Sequence, residues 1–470
     1  MATSIPATKE NGLAIPDGLG QTPGAISLSY PGKRPALAIR QTAPADVRPL
    51  WTPSPDPIAA TRNRLYAGDN LGVLATLRHD PTVRGQVRLV YIDPPYASGG
   101  AFLSRTQEHA YTDTLAGADY VESLRERLIL LRDLIAPDGS IYVHLDDYMA
   151  WTIKIVMDEV FGPRNYRNWI TRKKCNPKNY TNKTYGNVID YILFYTKSDD
   201  YVWHRPLEGW TPERAAKEYQ YVDAQGRRHK RVPLHAPGTR NGATGQAWRG
   251  MMPPPGKHWQ YTPETLDEMD ARGDVYWSKN SNPRRKVYFD ESAGVAVQDL
   301  WLDVRDVHNQ NTRITGYPTE KPTALLQRII EASSNPDDIV LDCYAGSGTT
   351  LDAASSLGRR WIGVDNSIQA ITTTLHRFAH GLRPMGDYVA LRNGVSDRAT
   401  GQQQEGQQLS FGLPETTDGQ GSDKETEVPE VVMGTDHEPI CDFTLYVEQS
   451  MAQKLPINTV EHTWRRPAQS

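Results

Sequence analysis

The chain has 470 residues, 38% of them hydrophobic and 23% charged, and its 52 Lys and Arg against 56 Asp and Glu give a formal net charge of −4. That length supports a sizeable core plus an added domain, and the balance is that of a soluble globular protein. No 18-residue apolar span and no N-terminal signal pattern is visible, so membrane insertion and secretion are not expected and the cytoplasm is.

Cys175, Cys343 and Cys441 lie far apart, in neither metal-ligand nor disulfide spacing, so reduced structural thiols and no metal site are expected. Residues 1–60 are rich in Pro, Gly, Ala, Ser and Thr without periodicity and read as an irregular arm. Order begins at Arg64, where a short strand meets a helix of apolar spacing (Leu71, Val73, Leu74, Leu77) that Asp69 or Asn70 would cap. The sharper reading of Asp69 is contact with a cofactor.

The apolar run Val87 to Ile92 reads as a buried strand, and Asp93-Pro94-Pro95-Tyr96 follows it. Ligands bind at the C-terminal edge of open α/β sheets. A nucleobase amino nitrogen is a poor nucleophile because its lone pair is delocalised into the ring. Two acceptors against its two N–H bonds, the Asp93 carboxylate and the Pro94 carbonyl, would draw it towards a tetrahedral geometry. The prolines fix φ and remove backbone donors, and Tyr96 offers a face on which an extruded base could stack. The plain alternative is a strand-ending turn.

Ala97 to Gly117 reads as a long loop, of the kind that forms a lid beside a catalytic turn. Helices are expected over Asp119 to Ile135 and Tyr148 to Val160. Strands are expected over Ser140 to Leu145 and Val188 to Thr196. Alternation of this kind predicts a parallel sheet covered on both faces.

From Pro163 to Asp290 the composition changes, with 23 Lys or Arg against 13 Asp or Glu, interleaved with Trp and Tyr. The clusters Arg172-Lys173-Lys174, Arg227-Arg228-His229-Lys230-Arg231 and Arg284-Arg285-Lys286 could contact phosphates while flat side chains meet bases. Any one cluster also reads as a solvated face, but the block as a whole reads as a DNA-facing insert.

A second chemical centre is Ile339 to Thr350, a buried strand running into the turn Asp342-Cys343-Tyr344-Ala345-Gly346-Ser347-Gly348 and then a helix from Thr349 to Leu357. Glycines let the backbone approach a ligand, and the helix start offers N–H groups. A further strand, Arg360 to Val364, ends at Asp365, placed to bind ribose hydroxyls. A nicotinamide dinucleotide would suit a Gly-x-Gly turn equally. Against it stand the incomplete three-glycine fingerprint and Asp342, which would repel a pyrophosphate and pair with a cationic amino group. Beyond residue 395 the chain becomes Gln-, Gly- and Glu-rich and reads as a linker to about Pro439, with one more strand at Cys441 to Val447.

With both centres in place the chain resembles a DNA amino-methyltransferase of the permuted β class, most closely the adenine-specific modification subunits of type III-like systems. The resemblance runs from Arg64 to His380. Asp93 to Tyr96 matches the catalytic motif, Asp342 to Gly348 the cofactor loop, Val364-Asp365 the ribose acid and Tyr317 to Pro322 a segment leading to a helix beside the cofactor. Cys343 stands where the family has proline, and the chain is short for a type III modification subunit.

The resemblance implies an α/β, Rossmann-like S-adenosylmethionine-dependent methyltransferase sheet with an inserted target-recognition region. Its implied divisions are an arm (1–60), a catalytic half (61–197), the insert (198–312), a cofactor half (313–395) and a linker with tail (396–470). It implies Asp93, Pro94, Pro95 and Tyr96 as catalytic. Asp69, Lys321, Asp342, Tyr344, Gly346, Ser347, Gly348, Thr349 and Asp365 would bind S-adenosylmethionine. Double-stranded DNA is the implied substrate, with a restriction subunit and a second copy as candidate partners. In this family Asp-Pro-Pro-Tyr goes mainly with adenine N6, and Ser-Pro-Pro-Tyr suggests cytosine N4. A non-catalytic DNA-binding subunit is the reading of another class.

Overall fold

The computed structural model describes residues 26–95, 101–103, 109–112, 117–176, 183, 185–279, 282–290, 292–306, 313–315, 317, 320–384 and 437–465. Two compact units divide the chain, one of residues 1–204 with 299–470, the other of residues 205–298.

The first unit is built on a ten-stranded sheet. Its order is Val47–Trp51, Phe443–Glu448, Asn63–Ala67, Arg360–Asp365, Ile339–Asp342, Val87–Ile92, Ile135–Leu145, Ile189–Thr196, Tyr166–Lys173 and Leu300–Trp301. Six neighbours, from Phe443–Glu448 to Ile135–Leu145, run parallel. Such strands are covered on both faces, which is why they read as unbroken apolar runs. Leu89, Val90 and Ile92 are fully buried, as are Val340 and Leu341. Helix Gly117–Leu134 lays Leu124, Leu128 and Leu131 into the same core, and helix Ala150–Phe161 adds Ile153, Val156 and Met157.

The expectations for strand direction, the arm and the loop from Ala97 need correction. The run Val188 to Thr196 is a strand, but Ile189–Thr196 lies antiparallel to both its neighbours. A parallel partner needs a crossover connection. Helix Ala150–Phe161 supplies one between Ile135–Leu145 and Tyr166–Lys173, and among the described residues no helix lies between Lys173 and Ile189, whose strands pair antiparallel. The arm is not irregular to residue 60, for it holds helix Ala36–Arg40 and strand Val47–Trp51. That strand pairs with Phe443–Glu448, nearly 400 residues away, a tertiary pairing that local composition does not announce. The tail strand does form, with Phe443, Leu445 and Val447 buried, and it is an interior member of the sheet. Of the loop from Ala97, Ala101–Leu103 and His109–Thr112 pair as an antiparallel ribbon. The rest of the lid expectation, like the linker to residue 436, lies outside the described residues.

The second unit carries an antiparallel sheet in the order Tyr221–Val222, Arg228–Pro233, Pro283–Tyr288, Val275–Trp277. Leu234, Trp248, Trp259, Leu266, Met269 and Val275 form its core. Helix Pro263–Ala271 contributes two of them, and the Thr262 side chain caps it by accepting from Thr265 N. Sequence reading drew the insert from 198 to 312, and the compact unit is narrower.

Candidate active site

Asp93 stands where strand Val87–Ile92 ends, beside strand Ile339–Asp342, whose Leu341 pairs with Val90. The two carboxylates therefore end adjacent parallel strands. Lys321 Nζ lies 2.5 Å from Asp93 Oδ2, so the lysine expected at the cofactor stands at the acid expected to be catalytic. Both side chains are largely shielded. Pro94 and Pro95 line the same cavity, and Tyr96 lies outside the described residues.

Asp342 is 2% exposed. Its Oδ1 accepts from the Tyr344 amide at 2.9 Å and its Oδ2 from Thr350 Oγ1 at 2.6 Å. Burial pushes its carboxyl up to about 7, with the Asp93 and Asp365 charges adding to the rise and those two donors opposing it. Asp365 is also pushed up by burial, although the amides of Gly346 and Ser367 each donate to it at 2.8 Å. The loop expected to hold the cofactor is thus folded around Asp342 and Asp365.

Gly346 and Gly348 have φ of +52° and +75°, where side chains are strained. A Cβ on Gly348 would also stand 2.7 Å from Thr374. Gly348 itself is not in the cavity wall, whereas Gly346, Ser347 and Thr349 are. The Thr349 hydroxyl accepts from Arg377 Nη1 at 2.5 Å, and Arg377, 1% exposed, also donates to Glu320 at 2.6 Å. Thr349 is therefore held from behind by a buried ion pair.

Across the cavity Asp69 caps helix Asn70–Arg78, accepting from the Gly72 amide at 3.4 Å. Arg127 donates to Asn70 Oδ1 at 2.6 Å and to Asp69 Oδ1 at 3.2 Å. Asn70 Nδ2 donates in turn to the Cys343 carbonyl at 2.8 Å, and Glu448 Oε2 accepts from the Asp69 amide at 2.8 Å. Sequence reading missed Arg127 and Glu448. Arg127 is one charge on an amphipathic helix, and Glu448 belongs to the tail. Burial raises the Tyr344 and Cys343 side chains well above their ordinary ranges, so phenol and thiol are both neutral.

Asp69, Asn70, Asp93, Pro94, Pro95, Lys321, Asp342, Tyr344, Gly346, Ser347, Thr349 and Asp365 all bound one cavity of about 490 Å³. The two centres, some 250 residues apart in sequence, share it. Among the described residues no cluster of three or more His, Cys, Asp and Glu is arranged for a metal ion, and no helix is long and apolar enough to cross a membrane.

The basic clusters separate. Arg172 is not on the surface: it is fully buried in the first unit, bidentate to Asp190 at 2.8 and 2.9 Å and 2.5 Å from Asp306. Its partner is set by strand register, Arg172 facing Asp190 across neighbouring strands. Lys173 and Lys174 flank it in the same unit and are half-buried.

In the second unit, pairing puts Tyr276 opposite Arg284, Lys286 opposite Arg231 and Tyr221 opposite His229, all on the sheet face away from the Val275 core. Arg231 lies between the rings of Tyr221 and Tyr276, at 3.6 and 3.4 Å. Arg285 faces the other way and donates to Tyr261 at 2.6 Å. Arg227 pairs with Asp290 at 2.9 and 3.0 Å and stacks on Tyr288, while Arg228 is exposed. This unit has 15 basic and 11 acidic residues, so much of the positive excess of 163–290 belongs to the first unit instead.

A family profile described as DNA methylase, of the N6/N4 type, matches residues 87–375. The chain is 48% identical over 368 residues to the Type II methyltransferase M.EcaI of Enterobacter cloacae, covering 77% of this chain and 80% of that protein. Over 383 residues it is 27% identical to the Type II methyltransferase M.KpnI of Klebsiella pneumoniae, 73% of this chain and 89% of the other. Identity to the StyLTI Mod subunit of a Salmonella typhimurium type III restriction-modification enzyme is also 27%, over 63% of this chain and half of that subunit.

Proposed function

The chain belongs to the DNA methylase family, and from that premise we propose that it transfers a methyl group from S-adenosylmethionine to the N6 amino group of adenine in double-stranded DNA, acting in the cytoplasm. The observation that carries this reading is the meeting of Asp93 and Asp342, ends of adjacent strands, in one cavity.

The residues present fit the cofactor. A cavity of about 490 Å³ falls within the range of roughly 300–1,000 Å³ typical of ligand sites. Asp342 and Asp69 suit a ligand bearing cationic amino and sulfonium groups, Asp365 suits a ribose, and the side-chain-free Gly346 leaves room for close approach. When bound, the cofactor supplies a methyl group activated by a sulfonium charge.

Asp93 and the Pro94 carbonyl then hold the two N–H bonds of an extruded base. Lys321 at Oδ2 fixes the orientation of the carboxylate that accepts from the amine. Positioning and electrostatics carry the catalysis. The Asp at position 93, where Ser would favour cytosine N4, supports adenine. Base extrusion costs roughly a few kcal/mol. On the second unit, Arg284, Lys286 and the Arg231 sandwich suit the DNA backbone and stacked bases.

The test is incubation with S-adenosylmethionine and unmethylated duplex DNA, followed by mass spectrometry of the nucleosides. N6-methyladenine is expected, and lost in Asp93→Ala. N4-methylcytosine would overturn the base, and neither product would overturn the activity.

A further inference from the structure

Behind Asp93 runs a chain of polar side chains that the reading above does not use. Tyr91 Oη lies 2.8 Å from His144 Nδ1. His144 Nε2 lies 2.9 Å from Asp190 Oδ2, an ion-pair contact off the hydrogen-bond axis, and Asp190 is held bidentately by Arg172, which also reaches Asp306. His144 and Arg172 are fully buried and Asp190 is 2% exposed. Only Asp306, with its side chain 31% exposed, meets solvent.

The chain crosses four strands in spatial sequence, Val87–Ile92, Ile135–Leu145, Ile189–Thr196 and Tyr166–Lys173. Stability does not account for it, since buried ion pairs contribute little net stability over well-packed apolar residues. A buried polar array of this cost, ending in the wall of an active cavity, marks function.

Its direction follows from hydrogen-bond inventory. Arg172 has only donors, so it keeps Asp190 ionised and an acceptor. Facing a carboxylate, His144 carries its proton on Nε2. In the neutral ring Nδ1 presents a lone pair to Tyr91, 2.8 Å away, and the Tyr91 hydroxyl proton turns away from the cavity.

Tyr91 lines that cavity. It sits level with Asp342 on the next strand, because Val90 pairs with Leu341, and two residues before Asp93 on its own. Resting on the methyl-transfer reading, we infer that Tyr91 is a further catalytic residue, its oxygen fixed as an acceptor towards the cationic centre between Asp93 and Asp342. His144, Asp190 and Arg172 are positioning residues that set the hydroxyl proton's direction.

Tyr91→Phe tests this, since it keeps the ring and removes one oxygen. Protein labelled with 15N-histidine identifies His144 as the ring whose signals move in the variant. In the parent that ring is expected as the neutral tautomer with its proton on Nε2, a readout that a merely structural staple does not fix. Single-turnover methyl transfer is expected to fall about tenfold, with affinities for S-adenosylmethionine and duplex DNA within about twofold and a melting temperature lowered only by the loss of one buried hydrogen bond.

A ring protonated on Nδ1, no histidine that moves, or an undiminished rate would overturn the inference. If the parent itself transfers no methyl group, the functional reading fails and takes this role with it. If the parent is active and Tyr91→Phe is equally fast, only the role of Tyr91 fails.

Discussion

Two acids end neighbouring strands of one sheet, and the protein treats them in opposite ways. Asp93 is met by a cation, Lys321 at 2.5 Å. Among the described residues Asp342 is met by neutral donors, the Thr350 hydroxyl and the Tyr344 amide, and burial pushes its carboxyl up to about 7. An acid already neutralised by lysine is an oriented acceptor for a neutral amine. An acid without a counter-charge gains most from a cationic ligand. On the proposed reading, the same residue type at neighbouring strand ends divides into a site for the acceptor of the methyl group and a site for its donor.

The largest effect expected from breaking this division is at Asp93. Asp93→Ala lowers the methyl-transfer rate by about 10² to 10³-fold and leaves cofactor affinity within about twofold, as single-turnover rates and calorimetry would show.

Next is Asp342→Asn, which keeps shape and removes charge. It should weaken S-adenosylmethionine by about ten- to a hundredfold. The pH dependence sharpens the point. Against 3.8 for an ordinary aspartate, the raised value means that folding favours the protonated form. Its contribution to stability is therefore complete below about pH 4 and is lost as pH rises through about 7. Cation binding needs the carboxylate, so cofactor affinity should rise across the same window, by up to about tenfold per unit, and level off above it. Calorimetry from pH 5.5 to 8.5 would show this rise in the parent and its absence in Asp342→Asn.

Arg284→Ala on the second unit serves as a control on both ends. DNA affinity should fall several-fold and its salt slope by about one, with cofactor affinity untouched; a change in cofactor affinity would break the separation. Smallest is Glu448→Gln, which weakens the hold on the Asp69 amide. A two- to threefold loss of cofactor affinity at constant transfer rate is expected.

Both acids were legible in the sequence because each follows an apolar run that could only be a buried strand and precedes a turn with its own chemistry. The glycines at 346 and 348 were legible for the same local reason. What stayed hidden depends on pairing across long separations. Strand Val47–Trp51 has its partner in the tail, and Glu448 reaches Asp69 across 379 residues. Arg172 looked like its neighbours Lys173 and Lys174 because composition does not say which side of a strand faces Asp190. A cluster of cations therefore read as one surface, where the fold makes one of them a buried ion pair.

The most direct test of the division of labour is calorimetric titration of S-adenosylmethionine into Asp93→Asn and Asp342→Asn at pH 8. Near-parental affinity in the first and at least a tenfold loss in the second is the predicted result. Equal losses in both, or the reverse order, would contradict the assignment of the two strand ends.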